Sequence, residues 1–218
     1  MRIANLDGRH VLKYPDGVTD VEKASDRRFA ADPQAMFARR DEFADWAGRL
    51  RAPLVEPFDP GRLKPPAPRP SQVFAIGLND ADHAAEGSLP LPPEPAVFTK
   101  FQTSITGSNE VVVLPTAQFS IGKSFPGFSP IGPDIVTPNE LADRDDLEIG
   151  CSVNGEIVQR ARTSDLIFSV ASLIERLSAI LPLNPGDLIF TGTPSGVGRL
   201  RNTFAEGPRT SRKPPESS

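Results

Sequence analysis

The sequence predicts a mostly β chain with some helix: a β-rich roll or sandwich preceded by a small N-terminal α/β domain. Three observations carry that reading. Short apolar or alternating runs bounded by Gly, Pro and Asn recur after residue 70. Longer helical periodicity occurs only in 32–50 and 169–181. Proline density also changes abruptly: Pro15 and Pro33 are the only two in the first 50 residues, whereas seven of the next twenty are proline.

Taken in order, residues 1–23 read as short strands joined at Asp7-Gly8 and Asp16-Gly17, dipeptides suited to tight hairpin turns. In 32–50, Asp32 is placed to cap a helix with Pro33 at its first position. Met36, Phe37, Phe43, Trp46 and Leu50 follow at three- and four-residue spacings, a stripe for core packing. The run KPPAPRP (Lys64–Pro70) has fixed φ angles and few backbone donors, so it reads as an extended connector. It separates a domain of residues 1–63 from one of 71–204. In the second domain QVFAIGL (72–78), AVFTKF (96–101) and EVVVL (110–114) read as strands. LEIGCSV and EIVQRA flank Asn154-Gly155, a strong hairpin signal. Ser169 caps a helix whose Val170, Leu173, Ile174, Leu177 and Leu181 share one face, and NPGD then turns the chain into the buried strand LIFTGT. Six or more short strands with one packed helix suit a roll or sandwich, not a doubly wound sheet. Residues 205–218 contain no Leu, Ile, Val or Phe and read as a disordered tail.

Composition excludes several classes of function. A net charge of −4 and a pI near 5.3 lack the basic face that phosphate neutralisation needs, so no nucleic-acid partner is expected. No apolar run approaches the roughly 18 residues that would span a bilayer, and the start MRIANLDGRH lacks a signal peptide's apolar core. The one cysteine, Cys151, reads as a small strand residue and fits a cytoplasmic setting. One Cys and two His do not make a zinc cluster.

Few residues stand out as carriers of chemistry. In GLNDADHAAEGS, His83 and Glu86 are three apart, so a short helical turn brings them together. A carboxylate beside an imidazole fixes its tautomer and raises its basicity, which suits activation of a water; an ordinary solvated turn gives the same pattern. Lys100 and Lys123 each sit in apolar or Gly/Phe-rich surroundings, where a cation holds a carboxylate or enolate, or simply snorkels from a strand edge. FTGTPSGVG (Phe190–Gly198) gathers glycines and small hydroxyls after a buried strand, so Gly192 and Thr193 can meet an oxyanion. It lacks the lysine of a phosphate-binding P-loop.

Together, PRPSQVFAIGLNDADHAAE, PAVFTKFQTSITG, EVVVLP, GKSFPGFSPIGPDIVTPNEL, VNGEIVQ, TSDLIFSVASLIERLS and LNPGDLIFTGTPSGVG resemble the fumarylacetoacetate hydrolase family, collinearly over nearly all of Pro68–Gly198. The N-terminal part is similar to the small first domain of the bacterial 2,4-diketo-acid (acylpyruvate) branch. The resemblance implies a mixed β-sandwich roll, a homodimer, and Mg²⁺ or Mn²⁺ as cofactor. It implies hydrolysis of a carbon–carbon bond in a small-molecule keto acid, with oxaloacetate decarboxylation or keto-acid isomerisation as relatives' alternatives. By the same resemblance His83 and Glu86 activate the water, Lys123 and Thr193 position substrate oxygens, and Lys100 belongs to the pocket wall.

The stretch VVVLPTAQFSIGKSF departs from that pattern. In the family, the strand ending VVLP is followed by a Glu-x-Glu strand, further strands and an Asp-bearing segment, which supply the metal ligands. Here Pro115 is followed by TAQ and then FSIGKSF, and no Glu-x-Glu occurs in the 218 residues. A second shortening follows GTPSGVG, where Gly198 runs directly into RLRNTF. A degenerate natural copy, a deliberately shortened chain and omitted residues all fit these joins. Two readings follow: a metal-dependent hydrolase whose full form carries the ligands, and a non-catalytic, metal-free relative that binds keto acids or a partner subunit.

Overall fold

The computed structural model describes residues 1–51, 53–109, 120 and 122–197. Twelve strands occur in it: β1 Arg2–Leu6, β2 Arg9–Tyr14, β3 Gly17–Asp20, β4 Leu63–Lys64, β5 Val73–Gly77, β6 Ala96–Thr99, β7 Ile105–Thr106, β8 Ser129–Pro130, β9 Asp134–Val136, β10 Glu148–Val153, β11 Glu156–Arg162 and β12 Leu188–Phe190. The α-helices are α1 Val21–Ala24, α2 Arg40–Arg49, α3 Ala81–Glu86 and α4 Val170–Ser178. The architecture is mixed and sheet-rich, as the sequence predicts.

The N-terminal sheet runs β3-β2-β1-β4, and β9 also pairs antiparallel with β1. Asp7-Gly8 forms the first turn, with φ of 49° and 85°. The second turn is Pro15-Asp16 instead of Asp16-Gly17, because Tyr14 pairs with Gly17, which already belongs to β3. Alternation along the strands fills both faces of the sheet. Ile3 and Leu12 meet Phe29, Met36 and Phe43 on one side, and Ala4, Val11, Val18 and Leu63 cluster on the other.

The helix expected over 32–50 has two parts. Asp32 caps it as expected, accepting from Gln34 N at 3.1 Å, but Pro33–Arg39 is a 3-10 helix and α2 begins only at Arg40. The tighter three-residue period puts Pro33 and Met36 on one buried face, while α2 delivers Phe43. Within residues 64–70, Pro66, Ala67 and Pro70 are buried.

The second sheet has the order β12-β5-β6, with β12 parallel and β6 antiparallel to β5. One face, carrying Ile76 and Ile189, packs on Phe168 and on Leu173 of α4. Ser169 caps α4 through Ser172 N. The apolar face expected of α4 is only half covered: Leu173 and Leu177 are buried, while Val170 and Ile174 remain exposed. β10 and β11 form a separate hairpin, turning at Asn154-Gly155 with φ of 52° and 86°, and Cys151 is an exposed residue of β10. The expected strand 110–114, the join after Pro115, the second join at Gly198 and the tail 205–218 lie outside the described residues.

Candidate active site

β5 delivers the chain to Asn79, which is completely buried. Its Nδ2 donates to the carbonyls of Phe168 (3.0 Å) and Thr191 (2.7 Å), and its Oδ1 accepts from Phe168 N (2.7 Å). One amide thus ties the end of β5 to the segment before α4 and to the loop after β12. Only a side chain that both donates and accepts can do this. Asp80, also buried, then caps α3 by accepting from His83 N at 2.7 Å.

That single helical turn brings His83 and Glu86 onto one face. His83 Nδ1 stands 3.5 Å from Glu86 Oε2, longer than an ordinary hydrogen bond, and both side chains are mostly covered. Nδ1 is buried and forms no hydrogen bond, with Glu86 or with any other group. The two groups are therefore in contact without a formed hydrogen bond. Glu86 is held from the other side as well, since Gly196 N donates to the same Oε2 at 2.9 Å.

The Gly-rich loop therefore meets the dyad, as its position after β12 suggests. Gln159 Nε2 grips it through Thr193 Oγ1 (3.0 Å) and the carbonyls of Pro194 (2.8 Å) and Ser195 (3.3 Å). Gly196 has φ of 90°, and a Cβ there would lie 2.1 Å from the Val158 carbonyl, so no side chain fits. A Cβ at Gly192, where φ is 129°, would likewise lie 2.9 Å from the Asn79 Cβ. Between loop, α3 and β11 opens a cleft of about 600 Å³, lined by Asp82, Glu86, Ile157, Val158, Gln159, Arg160, Ser195 and Gly196.

Lys100 and Lys123 form a second group and do not line this cleft. They lie on the face of the β12-β5-β6 sheet opposite α4, Lys100 over the Phe190 ring at 5.8 Å and Lys123 over Phe98 at 5.1 Å. The Lys100 ammonium donates to the carbonyls of Phe128 (3.1 Å) and Lys123. Burial, and then the Lys123 charge, pull the Lys100 pKa below the ordinary lysine value.

Among the described residues no three His, Cys, Asp or Glu side chains stand together as a metal site. The two carboxylates of the cleft, Asp82 and Glu86, come from one short turn, and one Glu86 oxygen is committed to Gly196. A hard divalent ion needs oxygen ligands from several sides, so the described residues do not fit one. Sequence reasoning passed over Asn79 and Gln159. Both stood inside quoted motifs, but uncharged amides give no signal of their own until their partners are known.

The family profile for the fumarylacetoacetate (FAA) hydrolase C-terminal region matches residues 115–215. A 2,4-didehydro-3-deoxy-L-rhamnonate hydrolase of Sphingomonas sp. (strain SKA58) is 35% identical, over 67% of this chain and 68% of its own length. A mitochondrial oxaloacetate tautomerase of Rattus norvegicus is 32% identical over 62% of the chain, which spans only 59% of that relative's length. Among solved structures, an HpcE-like protein from Mycobacterium smegmatis is 44% identical with a TM-score of 0.86, covering 93% of this chain and 90% of that one. Maleylpyruvate hydrolase from Sphingobium sp. SYK-6, in complex with manganese(II) and pyruvate, is 25% identical with a TM-score of 0.68, covering 91% and 90%.

Proposed function

The chain belongs to the fumarylacetoacetate hydrolase family, and we propose that it keeps the water-activating part of a 2,4-diketo-acid (acylpyruvate-like) hydrolase site without the carboxylates that would hold a divalent ion. The observation that carries this is the contact of Glu86 with both His83 and Gly196 at the mouth of the cleft. In this reading His83 Nε2 takes a proton from water, and Glu86 stabilises the imidazolium that results. The water attacks one carbonyl of the diketo acid; Lys100 and Lys123, expected from the sequence to position its oxygens, lie outside this cleft and take no part in the step. The site then lacks the several kcal/mol of charge stabilisation that a divalent ion supplies to a departing enolate. Binding of a 2-keto acid persists, and carbon–carbon cleavage is slow.

A second reading is keto-acid isomerisation, such as oxaloacetate tautomerisation. It is favoured by Glu86 lining an open cleft with His83 beside it, because moving one proton between carbon and oxygen needs an acid–base pair and no attacking water. The test is calorimetric titration with Mn²⁺ and with oxalate, beside turnover assays on acetylpyruvate and oxaloacetate, for a chain of verified 23.5 kDa mass. We expect oxalate to bind, no micromolar Mn²⁺ site, and slow acetylpyruvate turnover that Mn²⁺ does not change and His83→Ala abolishes. Micromolar Mn²⁺ binding with metal-dependent turnover would overturn the proposal. Tautomerisation outpacing hydrolysis would select the second reading.

A further inference from the structure

We infer that Gln159 is a positioning residue for the dyad, acting through the Gly-rich loop; this rests on the reading of His83 and Glu86 given above. The register of the β10–β11 hairpin shifts between Cys151 and Ser152, so that Ile157 faces Ser152 while Gln159 faces Cys151. Val158 is therefore the extra residue of a bulge, a device that re-aims neighbouring side chains. At this bulge the loop docks, with Gly196 against the Val158 carbonyl. Gln159, the next residue, spends its amide group on Thr193, Pro194 and Ser195 in succession. Those three residues lead directly to Gly196, whose N–H holds Glu86 Oε2.

The chain of contacts has one direction. Two amide protons facing three acceptors fix the path of the loop, and the path fixes where the Gly196 N–H points. That N–H restrains the Glu86 carboxylate, which stands 3.5 Å from His83 Nδ1, so a shift of the carboxylate changes the contact with the ring. The hairpin is otherwise exposed, so Gln159 is its principal polar hold on the dyad. Without that hold, Glu86 is free to turn into the cleft and away from His83.

Nuclear magnetic resonance of the full chain tests this without any substrate. In the parent protein the Gly196 amide should exchange with solvent slowly and shift when Glu86→Gln is introduced. In Gln159→Leu the Gly196 amide and the His83 ring signals should both move. Gly196 exchange should rise at least tenfold, while the unfolding midpoint and the signals of β1–β3 stay in place. Gln159→Glu has the same shape but presents an oxygen to the Pro194 and Ser195 carbonyls, and should give the same displacement. Gln159→Asn, which keeps the amide, should restore part of the protection. Unmoved Gly196 and His83 signals in Gln159→Leu would overturn the inference. So would a parent Gly196 amide that exchanges as fast as an unstructured loop, a result that needs no variant to fold. Displaced signals with no keto-acid binding by the parent protein would keep the clamp and remove the proposed function; turnover with unmoved signals would do the reverse.

Discussion

The N-terminal sheet and the β12-β5-β6 sheet are built from similar short strands, yet they are held by different forces. Around the first, aromatic side chains interlock: Phe43 is 1% exposed and lies 5.5 Å from Phe29, 5.8 Å from Trp46 and 4.7 Å from His10 between ring centroids. Around the second, apolar packing is thinner, and polar side chains join segments far apart in sequence. Asn79 binds Phe168 and Thr191, Gln72 binds Asp187 and Pro182, and Gln159 binds the Gly-rich loop. Hydrophobic burial is non-directional and tolerates small shifts, whereas hydrogen bonds fix position. The packed sheet supplies stability, and the pinned sheet supplies geometry where the dyad sits.

The largest expected effect follows from removing the aromatic centre of the first region. Phe43→Ala should cost about 3–5 kcal/mol of unfolding free energy, read by urea denaturation, since the cavity it leaves cannot collapse between sheet and helix. A loss below about 1 kcal/mol would mean that the two regions are not held differently.

Acid should strike the same region next. His10 is buried against Phe43 with neither ring nitrogen hydrogen-bonded, and burial lowers its pKa from 6.5 to about 4 although Asp20 and Asp32 oppose the shift. The folded pKa is depressed, so the unfolded chain binds more protons between these values. The contribution is complete above pH 6.5 and is lost as pH falls toward 4, by about 3 kcal/mol in total. Against burial, which would raise them, Arg9 and Arg69 hold Asp20 and Asp32 below the usual carboxylate range, so their own losses come at lower pH. Stability measured from pH 7.5 to 4 should fall through this window and stay nearly flat there in His10→Phe. An equal slope in both proteins would remove His10 as the cause.

In the second region the polar pin should matter more for placement than for stability. Asn79→Ala leaves the Phe168 N–H and the Thr191 carbonyl without their partner, a cost of about 2 kcal/mol. The accompanying sign is local: amides of 191–196 should lose protection from exchange while those of β1–β3 keep theirs. Uniform loss across both regions would show one cooperative core instead of two differently held sheets.

These differences mark what was legible in the sequence. The Asn154-Gly155 hairpin, the Ser169 cap and the His83/Glu86 spacing were readable because each depends on residues next to one another in the chain. The β1–β9 pairing was not, since Arg2 meets Val136 only through long-range closure, and the run containing Val136 carries no periodicity of its own. Pro33–Arg39 was readable as helical but not as a 3-10 helix, because tertiary burial of Met36 decides the tighter winding. Asn79 and Gln159 were invisible as site residues for the same reason: their roles lie in partners 89, 112 and 34–36 positions away.

The smallest expected effect is that of Ile174→Ala, set beside its neighbour Leu173 in α4. The sequence places Leu173 and Ile174 on one apolar face, but the fold buries Leu173 to 1% exposure and leaves Ile174 45% exposed. A helix turns about 100° per residue, so adjacent positions share a sheet-facing stripe only when the covering surface is wide. Here the cover is narrow, because the three-stranded sheet presents Ile76 and Ile189 to α4 with Phe168 beside them. Leu173→Ala should therefore cost about 2–5 kcal/mol. Ile174→Ala should cost less than about 1 kcal/mol, since little apolar area leaves contact and no cavity forms. Paired denaturation curves of the two variants decide the matter. Equal losses would mean that Ile174 is covered in solution, and that the second region carries more apolar packing than the contrast with the first allows.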